Sequence, residues 1–185
     1  MLKHSFIALA AFMLSLNSLA SEGATDKAPI SAPAITETTT LNTDSQQAEA
    51  LSAIPADTNI YSHFFRGAVK GADVVAYYSL AAGEKSVKGS SKITHEWGGT
   101  KWRFSTEENR DLFAANPEKY VPAYGGHCAF AMSKGFEASP RPNSWKIIDG
   151  KLYLNNNEKS FEIWDRDPAG NVIKANQNWI EIANK

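Results

Sequence analysis

The chain of 185 residues holds a single cysteine, Cys128, so no intramolecular disulfide and no CxxC-type zinc or redox site can form. It has no excess of charge of either sign. With 19 Lys and Arg against 20 Asp and Glu, it lacks the basic surplus that drives counterion-release binding to nucleic acid, and it has no acidic tail. No GxSxG, GxGxxG, P-loop or HExxH string occurs, so the hydrolase, dinucleotide, nucleotide and zincin signatures are all missing. The apolar run from Phe6 to Leu16 is short of the roughly 20 residues needed to span a bilayer.

That run follows Lys3 and His4 and ends at Ser18-Leu19-Ala20, where small residues occupy the −3 and −1 positions. This is the pattern of a cleaved secretory signal, so residues 1–20 read as a signal peptide cut after Ala20. Cleavage removes Lys3 alone among the Asp, Glu, Lys and Arg residues and shifts the formal net charge from −1 to −2. The expected destination is periplasmic or secreted, with no stable membrane insertion after cleavage.

From residue 21 to 58 there is no aromatic side chain, while Ala, Thr, Ser and Pro recur. So little apolar area cannot offset an ordering cost of about 1–2 kcal/mol per residue. Residues 21–58 therefore read as a disordered linker in which QQAEALSA forms at most a fleeting helix, and a chain begun near residue 58 is expected to be as stable as one begun at Ser21. Every aromatic residue after Phe12 lies between Tyr61 and Trp179. The folded domain is read as 59–185.

Two hairpins stand out within it. Gly98-Gly99 separates KITHEW from TKWRF, and pairing Trp97 with Thr100 sets Glu96 opposite Lys101, His95 opposite Trp102 and Ile93 opposite Phe104. Asp149-Gly150 separates WKII from KLYL and places Trp145 and Ile147 against Leu154 and Leu152, with Lys146 against Tyr153. Between them Ser105-Thr106-Glu107-Glu108 reads as a capping box that opens a helix running to Asn116, with Leu112 and Phe113 on its buried side. After Asn157 the spacing predicts a helix carrying Phe161 and Trp164, a break at Pro168-Ala169-Gly170, and a final helix with Val172, Ala175, Trp179 and Ile182. The fold class is therefore α+β: one small domain of two antiparallel β-hairpins packed against helices.

The stretches GADVVAYYS, ITHEWGGTKWRFSTEENRDLFAANPEKYVPAYGGHCAFAMSKG and WKIIDGKLYLNNN resemble the exported YHS-domain-containing proteins over about residues 66–182. The resemblance implies a small metal-associated domain, with copper the usual ion, in a family many of whose members have no assigned activity. Metal-associated relatives often carry two cysteines where this chain has one.

The segment richest in chemistry is Tyr124-Gly125-Gly126-His127-Cys128-Ala129-Phe130-Ala131-Met132. A Gly-Gly turn leads into a short helix with Cys128 near its N-terminus, where free N–H groups favour thiolate over thiol. Met132 falls on the same face four residues on. Thiolate, thioether and the His127 imidazole together suit Cu(I), so His127, Cys128 and Met132 are the metal-ligand set and copper the expected cofactor. The plain alternative makes Cys128 and Met132 core fillers. His95, opposite Trp102, reads as half-buried and hydrogen-bonded, and His63, just past the linker, as partly exposed; either joins a site only through folding. Glu107, Glu108 and Asp111 are accounted for by the helix dipole. No catalytic residue is named and the chain reads as a non-enzyme. The three readings carried forward are an exported soft-metal binding module, a metal-free protein-interaction or scaffold domain, and an exported thiol redox protein built on Cys128.

Overall fold

The computed structural model describes residues 37–185, with side chains from residue 45 on. The signal-peptide reading of 1–20 and the first part of the linker reading lie outside the described residues. The architecture of the described residues is α+β, in three small antiparallel two-stranded sheets and six α-helices: α1 (Glu37–Ser52), β1 (Ser62–His63), β2 (Gly67–Ala68), β3 (Ser90–Trp97), β4 (Thr100–Phe104), α2 (Glu107–Ala115), α3 (Pro117–Tyr120), α4 (Ala129–Met132), β5 (Arg141–Ile148), β6 (Lys151–Asn155), α5 (Glu158–Trp164) and α6 (Pro168–Ala183).

The β3–β4 hairpin adopts the expected register near its turn: Trp97 pairs with Thr100, Glu96 with Lys101 and His95 with Trp102. Farther out it departs. A register shift between Ser90 and Thr94 puts Ser90, not Ile93, opposite Phe104. An irregularity of this kind leaves residues of the longer strand β3 without a partner on β4. Trp102 and Phe104 are buried together against Phe113 of α2, with ring centroids 4.9 and 5.2 Å from it. In the β5–β6 hairpin all three expected pairs form, Trp145 with Leu154, Lys146 with Tyr153 and Ile147 with Leu152.

Strand β6 is buried on both faces, because the core is two clusters rather than one. Leu152 and Leu154 belong to a cluster with Val69, Val74, Tyr77, Trp102 and Phe104. Tyr153, on the opposite face, joins Tyr124, Met132, Trp164, Ala175 and Trp179. Alternation along a strand thus serves two hydrophobic layers at once.

Several expectations are corrected by the contacts. The N-cap of α2 is Thr106, whose hydroxyl accepts from the Asn109 N–H at 3.1 Å, because the Ser105 hydroxyl is drawn away to Asp73. Leu112 is 44% exposed, one position off the face that buries Phe113. Pro117 opens α3 rather than only closing α2, with Asn116 as its cap. Likewise Pro168 and Gly170 begin α6: proline at N1 has no N–H to waste, and the Asp167 carboxylate accepts the Gly170 N–H at 3.0 Å.

The packed domain also starts before residue 59. Leu51 and Ile54 pack against the second cluster, and Gln47 Nε2 donates to the Ile173 carbonyl of α6 at 3.2 Å. Two apolar side chains placed against an existing aromatic surface stabilise a segment that has no core of its own.

Asp73 ties the first cluster together. Fully buried, its Oδ1 accepts the N–H groups of Val75 and Ala76, at 3.0 and 3.1 Å. Its Oδ2 accepts from Ser105 N at 2.7 Å, Ser105 Oγ at 2.6 Å and Asn109 Nδ2 at 2.8 Å. Five donors replace the water that the carboxylate gives up.

Candidate functional site

The His127–Cys128 turn is assembled by unusual backbone. Tyr124 and Gly125 adopt φ of 56° and 58°, and Gly126 follows at 85°. A Cβ on Gly125 would stand 2.3 Å from the Asn59 carbonyl oxygen, so only glycine allows that approach. Asn59, Val69 and Lys70 are left-handed as well, with φ of 48°, 46° and 54°. For a β-branched residue such as Val69 this conformation costs on the order of 1–3 kcal/mol and persists only where packing imposes it. Val69 is fully buried, and its Cγ2 lies 3.4 Å from where a Gly126 Cβ would be. Three strained segments therefore converge on one turn.

Cys128 caps α4, as the sequence suggests, and is joined to Leu154 of β6 by a parallel bridge. Its Sγ accepts the N–H of Asn156 at 3.1 Å and that of Ala131 at 3.4 Å, and donates to Asn155 Oδ1 at 3.8 Å. The thiol is 1% exposed. Burial pushes its pKa up, and the N–H groups of Ala131, Asn156 and Phe130 oppose this without reversing it. The expected shift toward thiolate is thus overturned: a helix of four residues has too small a dipole to outweigh desolvation.

His127 faces elsewhere. Its ring meets Tyr61 edge-on at 5.6 Å and Trp179 at 6.5 Å, and Nε2 is 3.9 Å from the Glu137 carboxylate. Neither ring nitrogen makes a hydrogen bond of good geometry. Burial pulls the imidazole pKa below its ordinary value, and the Glu137 charge and the Asn59 backbone pull the other way. Met132 is fully buried in the second cluster. As a donor set, then, the three residues are adjacent in sequence but their side chains have separate partners: Asn155 and Asn156 for the thiol, Tyr61, Trp179 and Glu137 for the imidazole, an aromatic layer for the thioether. No group of three or more His, Cys, Asp and Glu side chains able to hold a metal ion occurs among the described residues. His95 and His63 are each partly buried, His95 against Phe113 at 5.9 Å and His63 accepting the Phe65 N–H through Nδ1 at 3.3 Å. Among the described residues neither makes a hydrogen bond, ion pair or ring contact with the turn.

A hydrogen-bonded chain runs outward from the thiol. Asn156 Nδ2 donates to the Ser139 carbonyl at 2.8 Å, and Lys70 Nζ donates to Ser139 Oγ at 3.2 Å. Burial lowers the Lys70 pKa, and the charges of Arg141 and Arg66 lower it further.

On the far side of Tyr124 lies a cavity of about 420 Å³ that sequence reasoning did not find. Leu51, Ile54 and Pro55 wall one side, and Tyr124, Tyr153 and Trp179 the other. Its polar points are few. Tyr124 Oη donates to Asn176 Oδ1 at 2.9 Å, and Lys151, whose pKa burial lowers against the pull of Glu118, reaches the rim with Nζ donating to the Glu118 carbonyl at 3.3 Å. The cavity depends on α1 folding back, a long-range event with no local sequence signal.

The chain matches no family model, no curated protein and no solved structure.

Proposed function

We propose that the chain is an exported, non-catalytic YHS-like binding module that takes a small amphiphilic ligand in the cavity between α1 and Tyr124, with the His127–Cys128 turn as the structural clasp that holds that wall in place. The observation that carries this reading is the cavity itself. Its volume of about 420 Å³ is of ligand size, its walls are mostly apolar, and the polar groups of Lys151 and Asn176 converge on it. An apolar body against Leu51, Ile54 and Trp179 with an anionic head toward Lys151 satisfies both features.

Anilinonaphthalene sulfonate, apolar rings with one anionic group, is the probe of choice. Its fluorescence should rise on binding, Ala48→Trp should fill the space and abolish the rise, and Lys151→Met should weaken this anionic probe more than a neutral naphthalene. Equal enhancement in Ala48→Trp would sink the reading.

A second reading, copper held by the His127, Cys128 and Met132 region, is favoured by one observation. Neither ring nitrogen of His127 makes a hydrogen bond of good geometry, and burial, which lowers its pKa, favours the neutral imidazole that binds a metal. Under it Cys128→Ser and Met132→Leu lose Cu(I). Under the clasp reading Cys128→Ser costs about 1–3 kcal/mol of stability, by disturbing buried N–H groups, and leaves probe binding unaltered.

A further inference from the structure

The most anomalous surface of the molecule is the turn between β1 and β2. Phe64 is 91% exposed and Phe65 76%, and the two rings pack edge-on against each other at 4.7 Å rather than against the domain. Scattered exposed apolar residues are ordinary, but an adjacent pair of phenyl rings at the tip of a tight turn costs solubility unless something receives it. The tip is held out deliberately. The Phe65 carbonyl accepts from Arg103 Nη2 at 2.7 Å, the Phe65 N–H donates to His63 Nδ1 at 3.3 Å, and the Arg66 N–H donates to the His63 carbonyl at 3.0 Å.

Around the tip the charge has one sign in excess. Arg66 follows the rings directly, and Lys70 lies close enough to Arg66 and Arg141 for their charges to act on it. Among the described residues none of Arg66, Lys70, Arg103 and Arg141 has a carboxylate within ion-pair distance; the nearby Glu96 is already paired with Lys101 at 3.6 Å. In a chain of net charge −1, Arg66 and Arg103, both close to Gly71 and free of carboxylate partners, give the tip a local positive field.

We propose that the Phe64–Phe65 tip, flanked by Arg66 and Arg103, docks the domain peripherally on an anionic phospholipid surface. A convex pair of rings is a wedge, and the headgroup and acyl boundary of a bilayer admits a wedge without a preformed socket. The cations then sit at the level of the lipid phosphates, where each strengthens binding. The hollow of about 380 Å³ beside the rings, lined in part by Thr100, Lys101 and Arg103, leaves room for a headgroup. The domain lies on the surface without crossing it; no helix among the described residues is long and apolar enough to span a membrane.

The test is co-sedimentation of the full chain with vesicles of phosphatidylcholine alone and of equimolar phosphatidylcholine and phosphatidylglycerol. The mixed vesicles should bind more tightly, and added salt should remove the difference. Phe64→Ser with Phe65→Ser should weaken binding to the mixed vesicles by about tenfold or more, and Arg66→Gln by about fivefold, with an unchanged thermal midpoint because these side chains support nothing in the core. Since the Phe6 to Leu16 run is common to all variants, a local readout is added: Phe64→Cys labelled with a polarity-sensitive dye, the buried Cys128 leaving one reactive thiol. Its emission should shift to the blue only with the phosphatidylglycerol vesicles. Undiminished binding of the double phenylalanine variant, or a dye that does not shift, overturns the proposal. A concentration-dependent dimer without vesicles, dissolved by the same double variant, overturns it in favour of a second copy of the chain as the occupant.

Discussion

Replacing Asp73 by Asn tests the account of the first cluster most severely, because it changes one atom and leaves the shape. An amide keeps one acceptor oxygen. If that oxygen stays toward Ser105 and Asn109, the new NH2 group confronts the N–H groups of Val75 and Ala76, and two buried backbone donors lose their acceptor at about 1–3 kcal/mol each. If it turns the other way, the NH2 group meets three donors instead of two, so the first orientation is the better one. Against this loss stands relief from desolvating an ion, worth several kcal/mol in the absence of partners but largely met here by the five donors. The net expectation is a destabilisation of about 3 kcal/mol and a fall in Tm of about 10 °C for a domain of this size. Urea unfolding followed by tryptophan fluorescence and far-UV circular dichroism measures it, and an unchanged m-value certifies that the same transition is being compared. Ser105→Ala should cost less than Asp73→Asn, since it removes one of the five donors and leaves both backbone N–H groups of Val75 and Ala76 with their acceptor. A loss under about 1 kcal/mol for Asp73→Asn, or a loss smaller than that of Ser105→Ala, would refute the claim that this carboxylate ties the first cluster together.

Two further outcomes follow from the contacts. A chain begun at residue 58 should lose more than about 1 kcal/mol by urea titration, because it discards Leu51 and Ile54 from the second cluster; equal stability would return the domain boundary to residue 59. His127 is a base whose folded pKa is lowered from 6.5, so its contribution is fully present above pH 6.5 and drains away as the pH falls from there toward the folded value, with a slope of at most about 1.4 kcal/mol per pH unit. Subtracting the pH profile of His127→Gln from that of the natural protein isolates this slope, and identical profiles would mean that the imidazole is not buried neutral.

The hairpins were legible because their turns are chemically explicit. Gly98-Gly99 and Asp149-Gly150 permit the positive φ of a two-residue connection, and once the turn is placed the alternation of side chains dictates which residues face each other. The α+β class followed from the same reasoning. What escaped was set at a distance. Ser105 has every local reason to cap α2, but a carboxylate 32 residues earlier in the chain recruits it, and Thr106 takes over. Asp73 itself sits inside an apolar run where nothing nearby announces a buried acceptor with five donors. The irregularity in β3 has no glycine or proline to mark it. Position in the chain correctly put Cys128 at the start of a short helix, but its thiol pKa is pushed up by burial, against the N–H groups of Ala131, Asn156 and Phe130. The cavity beside Tyr124 belongs to the same category, since part of its wall comes from residues 48–56 and the larger part from residues 121–179.

Strand β6 leaves the molecule without a fault line. Leu152 and Leu154 press into one cluster while Tyr153 presses into the other, so neither aromatic layer can melt while the other keeps its strand in place. Heating or denaturant should therefore reveal one transition rather than two, and a cavity cut at Trp164 should loosen Trp102 in the other cluster as measured by hydrogen exchange. The same arrangement bears on how such a domain can be altered: neither half can be excised, swapped or redesigned alone, whereas the Gly83 turn, where an added Cβ would meet nothing, offers a place to insert sequence without touching either layer.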